Sequence, residues 1–328
     1  MAARAGPRPG REPVRLAAAG RGPILGRVSV AAETKRARLP LAGGTEGAGV
    51  RVHPMRTANM LAMPHFFQRP SGPLPRLRGL GVFTSRTKWT PVPIPAFLVE
   101  HPSAGAVLVD TGMANAVAEE GSKELGVAAG VAYTVEMEPG WALTAQLPER
   151  GVDPMDVRTI VMTHLHYDHA GAIAEFPQAT FVVDADEWRA ARSGGFTKGY
   201  AHKLIDHPYD WREVDFDDPR VASFASFGRT VDLFGDGSIR LLSTPGHSKG
   251  HMSVLLRLES GRELLLAGDA AYAQRTIDED LLPVFVEDVH RYRRSLREIR
   301  RYLEQTPDAE VICGHDPDRW PEVRDTYR

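Results

Sequence analysis

Four groups able to bind metal ions stand within six residues of this sequence: His164, His166, Asp168 and His169. They follow an apolar run, Thr159-Ile160-Val161-Met162, that reads as a strand. In extended chain, residues two apart point the same way, so His164 and His166 can reach one ion. A turn into a helix would then bring Asp168 and His169 to a second position close by. A single histidine is ordinarily a satisfied core or surface residue. Four such groups behind an apolar strand would leave several polar atoms unpaired, and metal ligation is the chemistry that accounts for them.

Three later segments offer ligands in the same setting. His247 sits in the sharp turn Thr244-Pro245-Gly246-His247-Ser248, Asp269 ends the apolar run Leu264–Gly268, and His315 follows Val311-Ile312-Cys313-Gly314. Each stands at a strand end, where rigid structure fixes geometry and loops stay open to substrate. An imidazole and carboxylate set suits zinc, with manganese, iron or cobalt chemically admissible. Cys313 is the single cysteine, so a zinc finger and a disulfide framework are both excluded, and a reducing cytoplasm is the expected setting.

Elements that would position these groups follow from patterning. Strands are expected at 51–56, 94–100, 106–110, 158–162, 180–183, 239–243, 253–258, 263–267 and 310–313, several bounded by Gly, Pro or Asp. Helices are expected at 141–147, 185–192 and 289–304; in the last, Val289, Tyr292, Leu296, Ile299 and Leu303 repeat at helical spacing. Many strands in two groups with few helices predict packed sheets covered by helices. Residues 1–50 hold nine Lys/Arg, three Glu and no aromatic residue. Such a segment buries little apolar surface, so 1–49 is expected to be a disordered tail and 50–328 the folded domain. The tail is Arg-rich like a transit peptide but lacks a secretory apolar core, and Met55 is a candidate later start.

The pattern HxHxDH at 164–169, followed by His247, Asp269 and His315, resembles the metallo-β-lactamase superfamily from about Val50 to the C-terminus. The resemblance implies an α/β fold, an αββα four-layer sandwich with two divalent metal ions at one edge of its sheets. It implies His164, His166 and His247 on one ion, Asp168, His169 and His315 on the other, and Asp269 bridging. Asp269 stands where class B1 lactamases carry cysteine, which argues against that subgroup.

Within the superfamily the chain is similar to the N-acyl-homoserine lactone lactonases. Pro95–Pro102 followed by Val107–Gly112 resembles their first strand pair. The spacings of 22 residues from His247 to Asp269 and 46 from Asp269 to His315 are close to theirs. Asp269-Ala270-Ala271-Tyr272 matches a bridging aspartate followed by an active-site tyrosine. The implied reaction is attack of a metal-bridging hydroxide on a lactone carbonyl, with Tyr272 on the oxyanion and Asp168 shuttling the proton. Rivals on the same site are a glyoxalase II-like thioesterase, a phosphotriesterase-like enzyme and a 4-pyridoxolactonase-like enzyme; a non-catalytic binding protein is disfavoured by the intact ligand set.

A net charge of −2, and −8 over residues 51–328, gives no reason to expect nucleic acid or an anionic membrane as partner. No run of eighteen apolar residues exists, which excludes a spanning helix. The expected partner is a small-molecule lactone, and the sequence admits a homodimer. Arginines 291, 293, 294, 297, 300 and 301 read as a solvated face, with Glu287, Glu298 and Glu304 spaced to pair Arg291, Arg294 and Arg300. His251 is expected to support the ligands rather than join them. His53, His65, His101, His202, His207 and His290 read as ordinary, and Gly43–Gly49 is no phosphate loop. Asn59–Phe67 reads as a lid or as core, and Gly194–Pro219 as a pocket wall or an oligomer contact.

Overall fold

Alternation of apolar side chains with period two divides the core into faces, and two sheets result. The computed structural model describes residues 32–72, 79, 84–120 and 134–328. Its strands are β1 (Thr34–Arg36), β2 (Arg51–Ala62), β3 (Thr90–His101), β4 (Gly105–Val109), β5 (Val135–Glu136), β6 (Thr159–Val161) and β7 (Thr180–Asp184), then β8 (Asp210–Val214), β9 (Ala222–Phe224), β10 (Phe227–Asp232), β11 (Ile239–Ser243), β12 (Met252–Arg257), β13 (Glu263–Gly268) and β14 (Glu310–Cys313). The helices among the described residues are α1 (Ala116–Glu120), α2 (Leu143–Glu149), α3 (Tyr167–Ala170), α4 (Ala185–Ser193), α5 (His202–Ile205), α6 (Gln274–Glu279) and α7 (Val289–Gln305).

The first sheet runs β1-β8-β7-β6-β4-β3-β2-β5 and the second β14-β13-β12-β11-β10-β9. Strands β4, β6, β7, β8 and β1 are parallel neighbours, as are β13 and β14; the remaining pairings are antiparallel. Val107 and Val109 of β4 meet Val254, Leu256, Leu264 and Leu266 between the sheets. Leu108 points outward beneath Leu143 and Leu147 of α2, and Leu265 and Ala267 point outward beneath Tyr292, Leu296 and Ile299 of α7. Helix, sheet, sheet and helix therefore form the four layers expected. Each fully buried Leu or Val in them contributes roughly 1.5–3 kcal/mol.

All nine expected strands form, with β2 and β3 about twice as long as patterning suggested. The division at residue 49 needs correction. Thr34–Arg36 pairs with Trp211–Glu213, and Ala32, Ala37 and Ala48 are buried. Poor in apolar residues, this segment folds by completing the open edge of β8 and by pairing Arg36 with Asp215 and Asp218. Residues 1–31 of the expected tail lie outside the described residues. Met55 is buried inside β2, so a start there would delete β1 and the beginning of that strand.

The charged face of α7 is also arranged differently. Arg294 and Glu298 pair at 3.0 Å as expected. Glu287, preceding the helix, lies 3.5 Å from Lys198 instead, and Arg300 donates to the Ile277 carbonyl.

Candidate metal centre

Strand ends at one edge of the sandwich bring the seven candidate ligands together. His164 and His166 follow β6, Asp168 and His169 lie in the single turn of α3, and Asp269 and His315 follow β13 and β14. His247 stands in the turn after β11. Gly246 there has φ +136, and a Cβ on it would come within 2.2 Å of the Tyr292 nitrogen, so glycine lets the turn press against α7.

The donor atoms fall into groups: His164, His166 and His247; His164, His169 and Asp269; Asp168, His169 and His315. The two oxygens of Asp269 face different partners. Oδ2 lies 3.2 Å from His247 Nε2 and 3.9 Å from His164 Nε2, whereas Oδ1 lies 3.2 Å from His315 Nε2 and 3.4 Å from His169 Nε2. Asp168 Oδ2 is 3.4 Å from His315 Nε2 and 3.8 Å from His169 Nε2.

Hydrogen bonds on the outer edges orient the imidazoles. His169 Nδ1 donates to Asp110 Oδ2 at 2.8 Å, and His315 Nδ1 to the Pro93 carbonyl at 2.8 Å. His247 Nδ1 donates to the Phe285 carbonyl at 3.1 Å. His164 Nδ1 donates to Thr163 Oγ1 at 3.1 Å, and that hydroxyl donates to Asp110 Oδ2 at 2.7 Å. Four Nε2 lone pairs are thereby turned inward with two carboxylates. Buried, and without hydrogen-bond partners, are His164 Nε2, His169 Nε2 and Asp269 Oδ1. Lone pairs facing lone pairs repel unless a cation lies between them, so this donor set fits divalent metal ions.

Electrostatics agrees. Burial, then the charges of neighbouring imidazoles, push the pKa of His164 well down; burial likewise lowers His166 and His247, so these rings present neutral donors. Burial also opposes charge on His169, but Asp110, Asp168 and Asp269 outweigh it and raise its pKa well above the ordinary value. Against its own burial, Asp269 is held well below the usual carboxylate range by His315, His247 and His169. Positive charge is favoured between the acids, as protons or as metal.

His251 is tied to the backbone of Asp269. Its Nε2 accepts from the Asp269 nitrogen at 2.9 Å, Nδ1 meets Thr244 Oγ1 at 2.9 Å, and burial pushes its pKa down to about 3. Asp110 was overlooked, though it ends the apolar strand β4 just as Asp269 ends β13. The same signal would have found it.

A cavity of about 460 Å³ opens over the cluster, lined by His166, Asp168, His247, Asp269, Tyr272 and His315 with Met60, Phe66, Tyr167 and Phe285 as apolar walls. Asn59–Ala62 belongs to β2, while Phe66 stacks on Tyr272 at 4.6 Å; the stretch is part core and part wall. Thr197, Lys198 and Gly199 form another wall. The Phe196 side chain lies outside the described residues. The Tyr272 hydroxyl lies 3.2 Å from His247 Nδ1 and donates to the Phe285 carbonyl at 3.3 Å, on the ring edge turned away from Asp269.

A family model described as the metallo-beta-lactamase superfamily matches residues 89–315. The chain belongs to the metallo-β-lactamase superfamily. This superfamily member is 36% identical over 238 residues to the N-acyl homoserine lactonase AttM of Azorhizobium caulinodans, covering 71% of this chain and 85% of that protein. It is 36% identical over 232 residues to the protein of the same name from Agrobacterium fabrum, covering 70% and 84%. Its fold matches that of an N-acyl homoserine lactone hydrolase solved with N-hexanoyl-L-homoserine at the catalytic metal centre, with TM-score 0.66, 21% identity, and coverage of 84% of this chain and 96% of that one. Among the described residues, no helix is long and apolar enough to cross a membrane.

Proposed function

We propose that this superfamily member opens the ring of N-acyl-homoserine lactones, using two divalent metal ions, zinc foremost. The observation that carries the metal reading is the convergence of four outward-anchored imidazoles on the two separately facing oxygens of Asp269. His164, His166 and His247 would hold one ion with Asp269 Oδ2, and Asp168, His169 and His315 the other with Oδ1. Bound there, such ions supply Lewis acidity and bring the pKa of a coordinated water down to near neutrality. Similarity to the two AttM lactonases supports the substrate class.

The chain's own groups supply the rest. Asp168, which lines the cavity, takes the proton of the attacking water and returns it to the alkoxide formed when the ring C–O bond breaks, which remains part of the hydroxy-acid product. Tyr272 donates to the lactone carbonyl oxygen as negative charge grows there, exchanging the Phe285 carbonyl for it. Met60, Phe66, Tyr167 and Phe285 exclude water and accept the acyl chain.

A substrate panel tests this reading: acyl-homoserine lactones of graded chain length, S-lactoylglutathione and a phosphotriester, each assayed with zinc-loaded protein. Ring opening of the lactones at the highest kcat/KM is expected. Turnover of the thioester or phosphotriester alone would overturn it.

A further inference from the structure

The candidate ligands are supported from different directions. Asp110 holds His169 and, through Thr163, His164, while the Pro93 carbonyl holds His315. His166 and the His247 turn have a support of their own. Glu187 in α4 is wholly buried. Its carboxylate accepts from Leu165 N at 3.0 Å, Gly250 N at 3.1 Å and the Tyr200 hydroxyl at 3.1 Å. Leu165 separates His164 from His166, and Gly250 lies three residues after His247, so one carboxylate ties together both loops that carry the first trio. Burying a carboxylate is costly unless its lone pairs are satisfied, and here donors from three segments satisfy it.

Tyr200 carries the clamp onto His166. Its ring lies 5.0 Å from the imidazole, and its backbone bridges to that of His166. Burial and the Glu187 carboxylate raise the phenol's pKa far above its ordinary range, so it remains a donor. Next to it, Gly199 has φ +85, and a Cβ there would stand 2.6 Å from the His166 ring. Asp168, His169 and His315 lie outside this set of contacts.

We propose that Glu187 and Tyr200 are positioning residues that selectively set the metal affinity of the His164–His166–His247 position, an inference that rests on the two-metal reading above. Glu187→Gln keeps the volume but turns an amide NH2 toward backbone N–H groups; Tyr200→Phe removes one hydroxyl. Zinc binding to apo wild type and both variants, followed by competition with a chromophoric chelator, should resolve two steps. In Glu187→Gln one step is expected to weaken about 10-fold, the lower end of the effect of losing a direct outer partner of a ligand because Glu187 acts through the backbone and Tyr200, with the other step unchanged. Tyr200→Phe should weaken the same step, by a smaller factor. Lactone turnover in both should recover as zinc is raised, which a general loss of structure would not allow.

Two ions held at wild-type affinity in both variants would overturn the clamp, as would equal weakening of both steps in folded protein. Should Glu187→Gln fail to fold, Tyr200→Phe decides by the same criteria. Fewer than two ions in wild type would overturn the metal reading, and the clamp with it; two ions there with unaltered variants would overturn the clamp alone.

Discussion

Asp110→Asn isolates the contribution of a charge that touches no candidate ligand except His169. Asp110 Oδ1 accepts from Thr163 N at 2.7 Å, and Oδ2 accepts from Thr163 Oγ1 at 2.7 Å and His169 Nδ1 at 2.8 Å. Its φ of 59 lies in the left-handed region, which asparagine tolerates as well as aspartate, so the backbone is not perturbed. An asparagine can keep the Thr163 N bond through its carbonyl. Its NH2 then confronts the His169 N–H and the Thr163 hydroxyl, both donors. A hydrogen bond to a charged group is worth about 1.5–3 kcal/mol, and at least one is lost. Loosened, His169 should let metal affinity fall about 10–100-fold, or about 1.4–2.8 kcal/mol. Zinc competition against a chelator measures the loss, with circular dichroism reporting the fold. Affinity within a factor of two of wild type, in folded protein, would refute the reasoning that Asp110 fixes His169 for ligation.

Gly199→Ala should cut lactone kcat/KM at least tenfold, because both the positive φ and the 2.6 Å approach to the His166 ring forbid a side chain; steady-state kinetics checks this. Tyr272→Phe should lower kcat about 10–100-fold while leaving zinc content intact, since the phenol is proposed to act on the substrate and not on the metal. Asp236→Asn probes pH-dependent stability. Against the cost of burial, hydrogen bonds from Ser238, Thr45 N and His101 hold Asp236 at about 2. A carboxyl lowered from its usual value near 3.8 stabilises the fold above that value and stops doing so as pH falls through 2. The variant should therefore lose about 2 kcal/mol of unfolding free energy at pH 7 and progressively less between pH 4 and pH 2, as urea titrations at each pH would reveal.

Local patterning made some parts of the molecule legible and left others hidden. The candidate ligands were readable because they cluster shortly after apolar runs, and strand ends are where such folds present chemistry. Strands β4, β11, β12 and β13 were readable because each is a short, mostly apolar run. Strands β8 and β10 mix charged residues with a few apolar ones and β9 is only Ala-Ser-Phe, and all three exist because neighbouring strands supply the pairing. The same holds for Thr34–Arg36, which no local signal marks and which β8 orders. Glu187 looked like one more helix acid; its three donors come from residues 13 to 63 positions away. Glu287 was assigned to Arg291 by spacing, yet it precedes α7 and faces Lys198 across the cavity mouth.

On the proposed function, the seven converging side chains hold two metal ions on which lactone opening depends. Titrating metal-free protein with zinc while following hydrolysis of an N-acyl-homoserine lactone tests it most directly. Negligible turnover is expected without metal, with a rise that saturates at two zinc ions per chain. Full turnover in metal-free protein, or none after two ions have bound, would contradict it.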